Sequence, residues 1–142
     1  APATSQPAKP QVVRATADPK VVDLSSGSIT VTVTLEIDKA YHLNAHEVGN
    51  DALVPTTLAL VGAESIPMKV DYPSGEDRQF PFADAPIRIY ENRVVFEATI
   101  RKIGPLGSDE RPQLLLRYQA CTERECLRPV TIEVPIAFEG LD

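Results

Sequence analysis

The stretch Ser28-Ile29-Thr30-Val31-Thr32-Val33-Thr34-Leu35-Glu36-Ile37-Asp38 alternates strictly between apolar and polar side chains. Ile29, Val31, Val33, Leu35 and Ile37 face one way; Thr30, Thr32, Thr34, Glu36 and Asp38 face the other. A period of two, rich in β-branched residues, marks a strand with one face in a core and the other in water. The same pattern returns at Val94, Phe96, Ala98 and Ile100, at Leu114, Leu116 and Tyr118, and at Val130, Ile132, Val134, Ile136 and Phe138. Weaker strand candidates are Val12 to Ala17, Lys20 to Leu24, Thr57 to Val61, Ile66 to Tyr72 and Ile87 to Glu91.

Turn signals divide these runs: Ser25-Ser26-Gly27, Gly49-Asn50-Asp51, Pro73-Ser74-Gly75, Gly104-Pro105 and Gly107-Ser108-Asp109. Short strands at this spacing predict an all-β, two-sheet antiparallel sandwich, with a closed barrel as the alternative. Thirteen prolines in 142 residues leave little room for long helices. The segment from Pro73 to Pro86 breaks the alternation while carrying Phe80 and Phe82, and reads as an ordered loop long enough to have a task.

Composition bounds the function. With 43% hydrophobic and 24% charged residues, the chain can bury one ordinary core. A net charge of -6, with no run of Lys or Arg beyond two, disfavours nucleic acid and anionic lipid as partners. No apolar run is long enough for a membrane-spanning helix. Ala1 to Pro10 is rich in Pro and Ala and reads as a flexible lead or linker, leaving 11–142 as the domain. The chain opens on Ala rather than Met with no visible signal segment, which predicts a processed protein or an excised domain.

Cys121 and Cys126 enclose four residues, Thr122-Glu123-Arg124-Glu125. Cys121 follows a strand running from Gln113 to Ala120, and Cys126 is expected to open the next one, which runs to Phe138. Strand ends of a hairpin lie about 5.5 Å apart at Cα, a separation a disulfide accepts. A bridge closing so small a loop stabilises by about 2 kcal/mol, against about 4.7 for a 100-residue loop. It joins nothing distant, so two readings stand: a weak staple, or a bond that is made and broken. Arg124 and Arg128 would favour a thiolate while Glu123 and Glu125 would oppose it.

His42 and His46, spaced i, i+4, are the only histidines. With the two sulfurs they raise a Cys2His2 metal site as an alternative, although their order does not match the usual ligand spacing and no metal is expected. A nucleophile elbow and a phosphate-binding glycine loop are both absent.

The block Leu116-Arg117-Tyr118-Gln119-Ala120-Cys121 followed by Cys126-Leu127-Arg128-Pro129 resembles the YQAC…CLPP signature of the amino-terminal domain of DsbD, the membrane thiol:disulfide interchange protein, and of related disulfide bond corrector domains. Tyr41-His42-Leu43-Asn44-Ala45 with Pro55-Thr56, Val70-Asp71-Tyr72-Pro73 and Ile89-Tyr90-Glu91-Asn92-Arg93 resemble further landmarks of that family, so the likeness extends from about Lys20 to Phe138. It implies an immunoglobulin-like sandwich in the periplasm or another extracytoplasmic space. It also implies a cofactor-free thiol:disulfide oxidoreductase whose Cys pair takes electrons from a membrane-linked thioredoxin-like donor. The electrons pass to periplasmic oxidoreductases, such as disulfide isomerases and cytochrome c maturation thioredoxins, through intermolecular mixed disulfides. The membrane domain of the same reductase is a further implied partner, and a monomer suits such a relay.

Carried over, Cys121 and Cys126 match the redox pair, with Cys126 as the attacking thiol. Tyr118 and Gln119 match the signature beside it, and Phe80 or Phe82 stands where a cap aromatic shields the sulfurs. Core packing is an equal expectation for Phe80, Phe82 and Tyr118, the last because it continues the inward row of Leu114 and Leu116. This chain departs from the pattern in having one residue fewer between its cysteines than the best-studied members, and in Arg128 where proline is common.

Overall fold

The computed structural model describes residues 12–63, 66–101 and 111–139. The lead at Ala1 to Pro10 and the turn signals around Gly104 to Asp109 lie outside the described residues.

The decisive alternating stretch forms β3 (Ser28–Ile37), at the centre of a four-stranded antiparallel sheet. It pairs with β1 (Val13–Asp18) on one side and β9 (Arg93–Arg101) on the other, and β6 (Met68–Asp71) completes the sheet in the order β1-β3-β9-β6. Val31, Val33, Leu35, Phe96, Ala98 and Ile100 are fully inaccessible to solvent, as the period of two requires. Facing them is a three-stranded sheet of β5 (Thr57–Val61), β10 (Gln113–Tyr118) and β12 (Val130–Glu133), in the order β12-β10-β5. Leu58, Leu114, Leu116 and Tyr118 from this sheet join the first sheet's apolar face in one continuous core. The architecture is an immunoglobulin-like β-sandwich.

A third sheet carries the cysteine region. β11 (Ala120–Cys121), β4 (His42–Asn44), β8 (Ile87–Tyr90) and β7 (Glu76–Arg78) lie in the order β11-β4-β8-β7. The chain therefore changes sheet at Gln119, leaving β12's side of the sandwich to pair with β4.

Three expectations need correction. The last apolar row is not one strand: β12 ends at Glu133, Pro135 intervenes, and β13 (Ala137–Glu139) pairs with β2 (Val21–Asp23) in the only parallel contact among the described strands. Proline donates no hydrogen bond to a ladder, which is why the run breaks there. Val130 lies opposite Tyr118 on the same face of its sheet but is 42% exposed, because β12 is an edge strand. The segment from Pro73 to Pro86 is not all loop, since β7 within it forms a hairpin with β8.

Gly75 lets that hairpin sit close. Its φ is +81°, and a Cβ there would come 2.8 Å from the Ala45 Cβ and 2.9 Å from the Ile89 carbonyl oxygen. Only glycine meets both conditions without strain.

Candidate redox site

Cys121 and Cys126 are joined by a disulfide and face each other across an isolated antiparallel bridge. Their Cα atoms are 3.9 Å apart, closer than the hairpin spacing expected from the sequence. The flanking bonds explain this. Leu127 N–H donates to the Ala120 carbonyl and Thr122 N–H to the Glu125 carbonyl, both at 2.8 Å. The cysteines thus occupy the non-hydrogen-bonded position of an antiparallel pair, where the strands approach most closely. Within the loop, the Thr122 hydroxyl accepts from the backbone N–H groups of Arg124 and Glu125, each at 3.2 Å.

Cys126 does not open the next strand, as the spacing had suggested. Tyr118 pairs with Val130 while Cys121 pairs with Cys126, so residues 119 and 120 oppose residues 127 to 129. That extra residue is a bulge, placed where Pro129 cannot donate to a ladder. Gln119 fills the gap, its Nε2 donating to the Leu127 carbonyl at 3.1 Å. Its Oε1 accepts from Asn44 Nδ2 and from Val54 N–H, both at 2.9 Å. Gln119 therefore locks the cysteine hairpin to β4 and to the loop before β5. Tyr118 packs in the main core, 6% exposed, and burial pushes its phenol pKa up.

The two cysteines differ in exposure: Cys121 is fully buried, whereas Cys126 is partly exposed. Opposite Cys121 in the ladder stands His42. Asn44, two residues on and on the same face of β4, places its Oδ1 3.9 Å from the Cys121 sulfur. Its Nδ2 is occupied by Gln119 and by the Val54 carbonyl at 3.0 Å, which turns the amide oxygen toward the sulfur. The sequence places His42 near the pair only through the metal alternative, and Asn44 not at all. The signal was available in the segment Tyr41-His42-Leu43-Asn44, where a period of two puts both polar groups on one side.

His42 is also where the β7–β8 hairpin meets the site. Its ring stacks on Phe80 at 4.7 Å with an interplanar angle of 19°, and Phe80 stacks on Phe82 at 5.2 Å and 17°. Phe80 is 2% exposed and sits in a small core of its own with Val48, Ile87 and Ile89; Phe82 is 41% exposed. At the base of that hairpin, Arg78 makes a two-pronged contact with Glu91. That hydrogen-bonded guanidinium holds the Glu91 carboxyl below its usual range. Burial, then the nearby Arg78 charge, depress the His42 pKa, against smaller opposing pulls from Glu91 and Glu123.

The histidines do not converge on the sulfurs as a metal set. His46 stacks on Tyr72 with ring centroids 3.6 Å apart and contacts the Thr56 carbonyl through Nδ1 at 2.9 Å. Among the described residues no group of three or more His, Cys, Asp or Glu side chains is arranged to hold a metal ion.

A disulfide at a hairpin bulge on an immunoglobulin-like sandwich, with one cysteine buried and the other partly exposed, defines a recognisable class of thiol-exchange domain. The chain belongs to the family of the thiol:disulfide interchange protein DsbD, N-terminal, whose model matches residues 9–137. The chemistry of that family is thiol:disulfide interchange. No curated protein matches the chain. Solved structures share its fold, two among them being N-terminal domains. One is the DsbD N-terminal domain of Neisseria meningitidis in the reduced form, 21% identical, with a TM-score of 0.50 and 78% of each chain covered. The other is the N-terminal periplasmic domain of ScsB from Proteus mirabilis, 17% identical, with a TM-score of 0.58. That match covers 87% of this chain and 45% of the ScsB chain.

Proposed function

We propose that this domain is an extracytoplasmic electron relay, in which Cys121 and Cys126 alternate between dithiol and disulfide. It takes electrons from a membrane-linked thioredoxin-like donor and passes them to thioredoxin-fold oxidoreductases, including those of cytochrome c biogenesis. The observation that carries this reading is the unequal exposure of two bonded cysteines, Cys121 fully buried and Cys126 partly exposed.

Exchange proceeds by attack of a thiolate on a disulfide sulfur, followed by resolution of the mixed disulfide by the second thiol. Cys126 is the sulfur a partner reaches and Cys121 is the resolving one. The hairpin keeps the two within bonding distance while the sandwich holds their position. Phe80 is the cap residue: it is anchored in its own small core and tied by stacking to the strand opposite Cys121. Phe82 covers it from outside, while Gln119 positions the hairpin.

The test is capture of a mixed disulfide. Cys121→Ser should trap a covalent complex with a thioredoxin-fold partner lacking its own resolving cysteine, and Cys126→Ser should trap none and lose transfer from a reduced donor. Normal turnover by the Cys126→Ser variant would defeat the assignment.

A further inference from the structure

We propose that His42 is the proton acceptor for the resolving sulfur, taking the Cys121 thiol proton as that sulfur closes on Cys126 and releasing it to water. The proposal deepens the relay reading and rests on Cys126 being the attacking thiol.

Geometry makes the need and supplies the group. Cys121 is fully buried, so once the bond is open its sulfur has no bulk solvent beside it to take up a proton. His42 is its direct partner in the β11–β4 ladder. Such partners carry their side chains on one face, with Cβ atoms about 4.5–5.5 Å apart. Asn44 confirms which face this is, because its Oδ1 lies 3.9 Å from the same sulfur. An amide oxygen can accept a hydrogen bond from the thiol but not its proton; an imidazole can take the proton.

His42 is buried, 5% exposed, but borders a surface cleft of about 440 Å³, together with Lys39, Tyr41, Arg78, Glu91 and Glu123. The charged groups acting on the ring are Arg78 on β7, Glu91 just after β8 and Glu123 in the cysteine loop. Burial and Arg78 outweigh the two carboxylates, so the imidazole is a free base at neutral pH. Glu91 is itself engaged by Arg78.

The step balances. Cys126 thiolate attacks a partner disulfide, forming the Cys126–partner bond and expelling the other partner sulfur as a thiolate. The Cys121 proton then moves to His42. Cys121 thiolate attacks the Cys126 sulfur, the Cys121–Cys126 bond forms, and the Cys126–partner bond breaks to release the second partner thiolate. The imidazolium gives its proton to water in the cleft. Two electrons pass from the domain to the partner.

Reduced protein mixed with the chromogenic disulfide dithiobis(nitrobenzoate) separates the steps, since attack releases one chromophore and resolution a second. His42→Gln should slow the second phase at least about tenfold more than the first at neutral pH. It should also abolish the fall in second-phase rate expected of the native protein as pH drops through the His42 pKa. His42→Phe keeps a ring to stack on Phe80 but accepts no proton, and should behave like His42→Gln. A second phase unchanged in rate and pH profile, equal slowing of both phases, or native kinetics in His42→Phe would each overturn the proposal. Should Cys126→Ser retain a normal first phase, the relay assignment fails and the proposal falls with it. A first phase lost in Cys126→Ser, with a normal second phase in both His42 variants, would remove His42 alone.

Discussion

His42 and Phe80 lie face to face, ring centroids 4.7 Å apart, so the β7–β8 hairpin is fastened to the strand that pairs with Cys121. The hairpin proposed as the shield and the strand that pairs with Cys121 therefore share one contact.

Removing the buried ring tests this directly. Phe80→Ala should destabilise the domain by about 3 kcal/mol, the usual cost of deleting a buried phenyl group. It should also speed reduction of the disulfide by a small thiol. Phe82→Ala, which removes a ring 41% exposed, should cost under about 1 kcal/mol. Urea denaturation and the rate of reduction by dithiothreitol read both effects; equal behaviour of the two variants would show that neither ring is the anchor.

Gln119 makes hydrogen bonds to three separate segments, through Asn44, Val54 and Leu127. Gln119→Ala should cost about 1–3 kcal/mol, because partly buried donors on Asn44 and Val54 lose their partner. A loss below about 0.5 kcal/mol in chemical denaturation would mean that water replaces the amide.

Gly75→Ala should destabilise by more than about 1 kcal/mol, since φ is +81° and the new methyl would meet both Ala45 and the Ile89 carbonyl. Faster amide hydrogen exchange confined to β7 and β8 would locate the damage. Unchanged exchange there would contradict the close packing.

The Arg78–Glu91 contact sets a pH dependence. Glu91 has a depressed folded-state pKa, so its contribution is fully present above the ordinary carboxylate value of 4.5 and is lost as pH falls through the lower folded value. Both side chains are about a third exposed, which limits the gain to about 0.5 kcal/mol. Glu91→Gln should flatten that part of the stability curve below pH 4.5, measured by thermal melts across the acid range. An unchanged slope would show that the pair contributes nothing.

Much of this was legible in the sequence, and the exceptions have physical causes. Ile29 to Ile37 and Val94 to Ile100 could be read because one face of their sheet is buried and the other wet. β4 could not, because three residues are too short a polar–apolar alternation to mark a strand, and all three are buried. Pro135 hid a change of sheet inside an apparently continuous apolar row. The spacing of Cys121 and Cys126 announced a hairpin bridge, but the bulge opposite Gln119 depends on a register that no local pattern encodes. Phe80 and Phe82 look alike in sequence, and only packing against Val48, Ile87 and Ile89 separates them.

The central claim is that the Cys121–Cys126 bond is opened and closed in use. Equilibrating the domain against thiol–disulfide buffers and quantifying its two states yields a reduction potential. The relay account predicts a value above roughly -300 mV, within reach of thioredoxin-fold partners; a value well below that, typical of inert structural bridges, would contradict it.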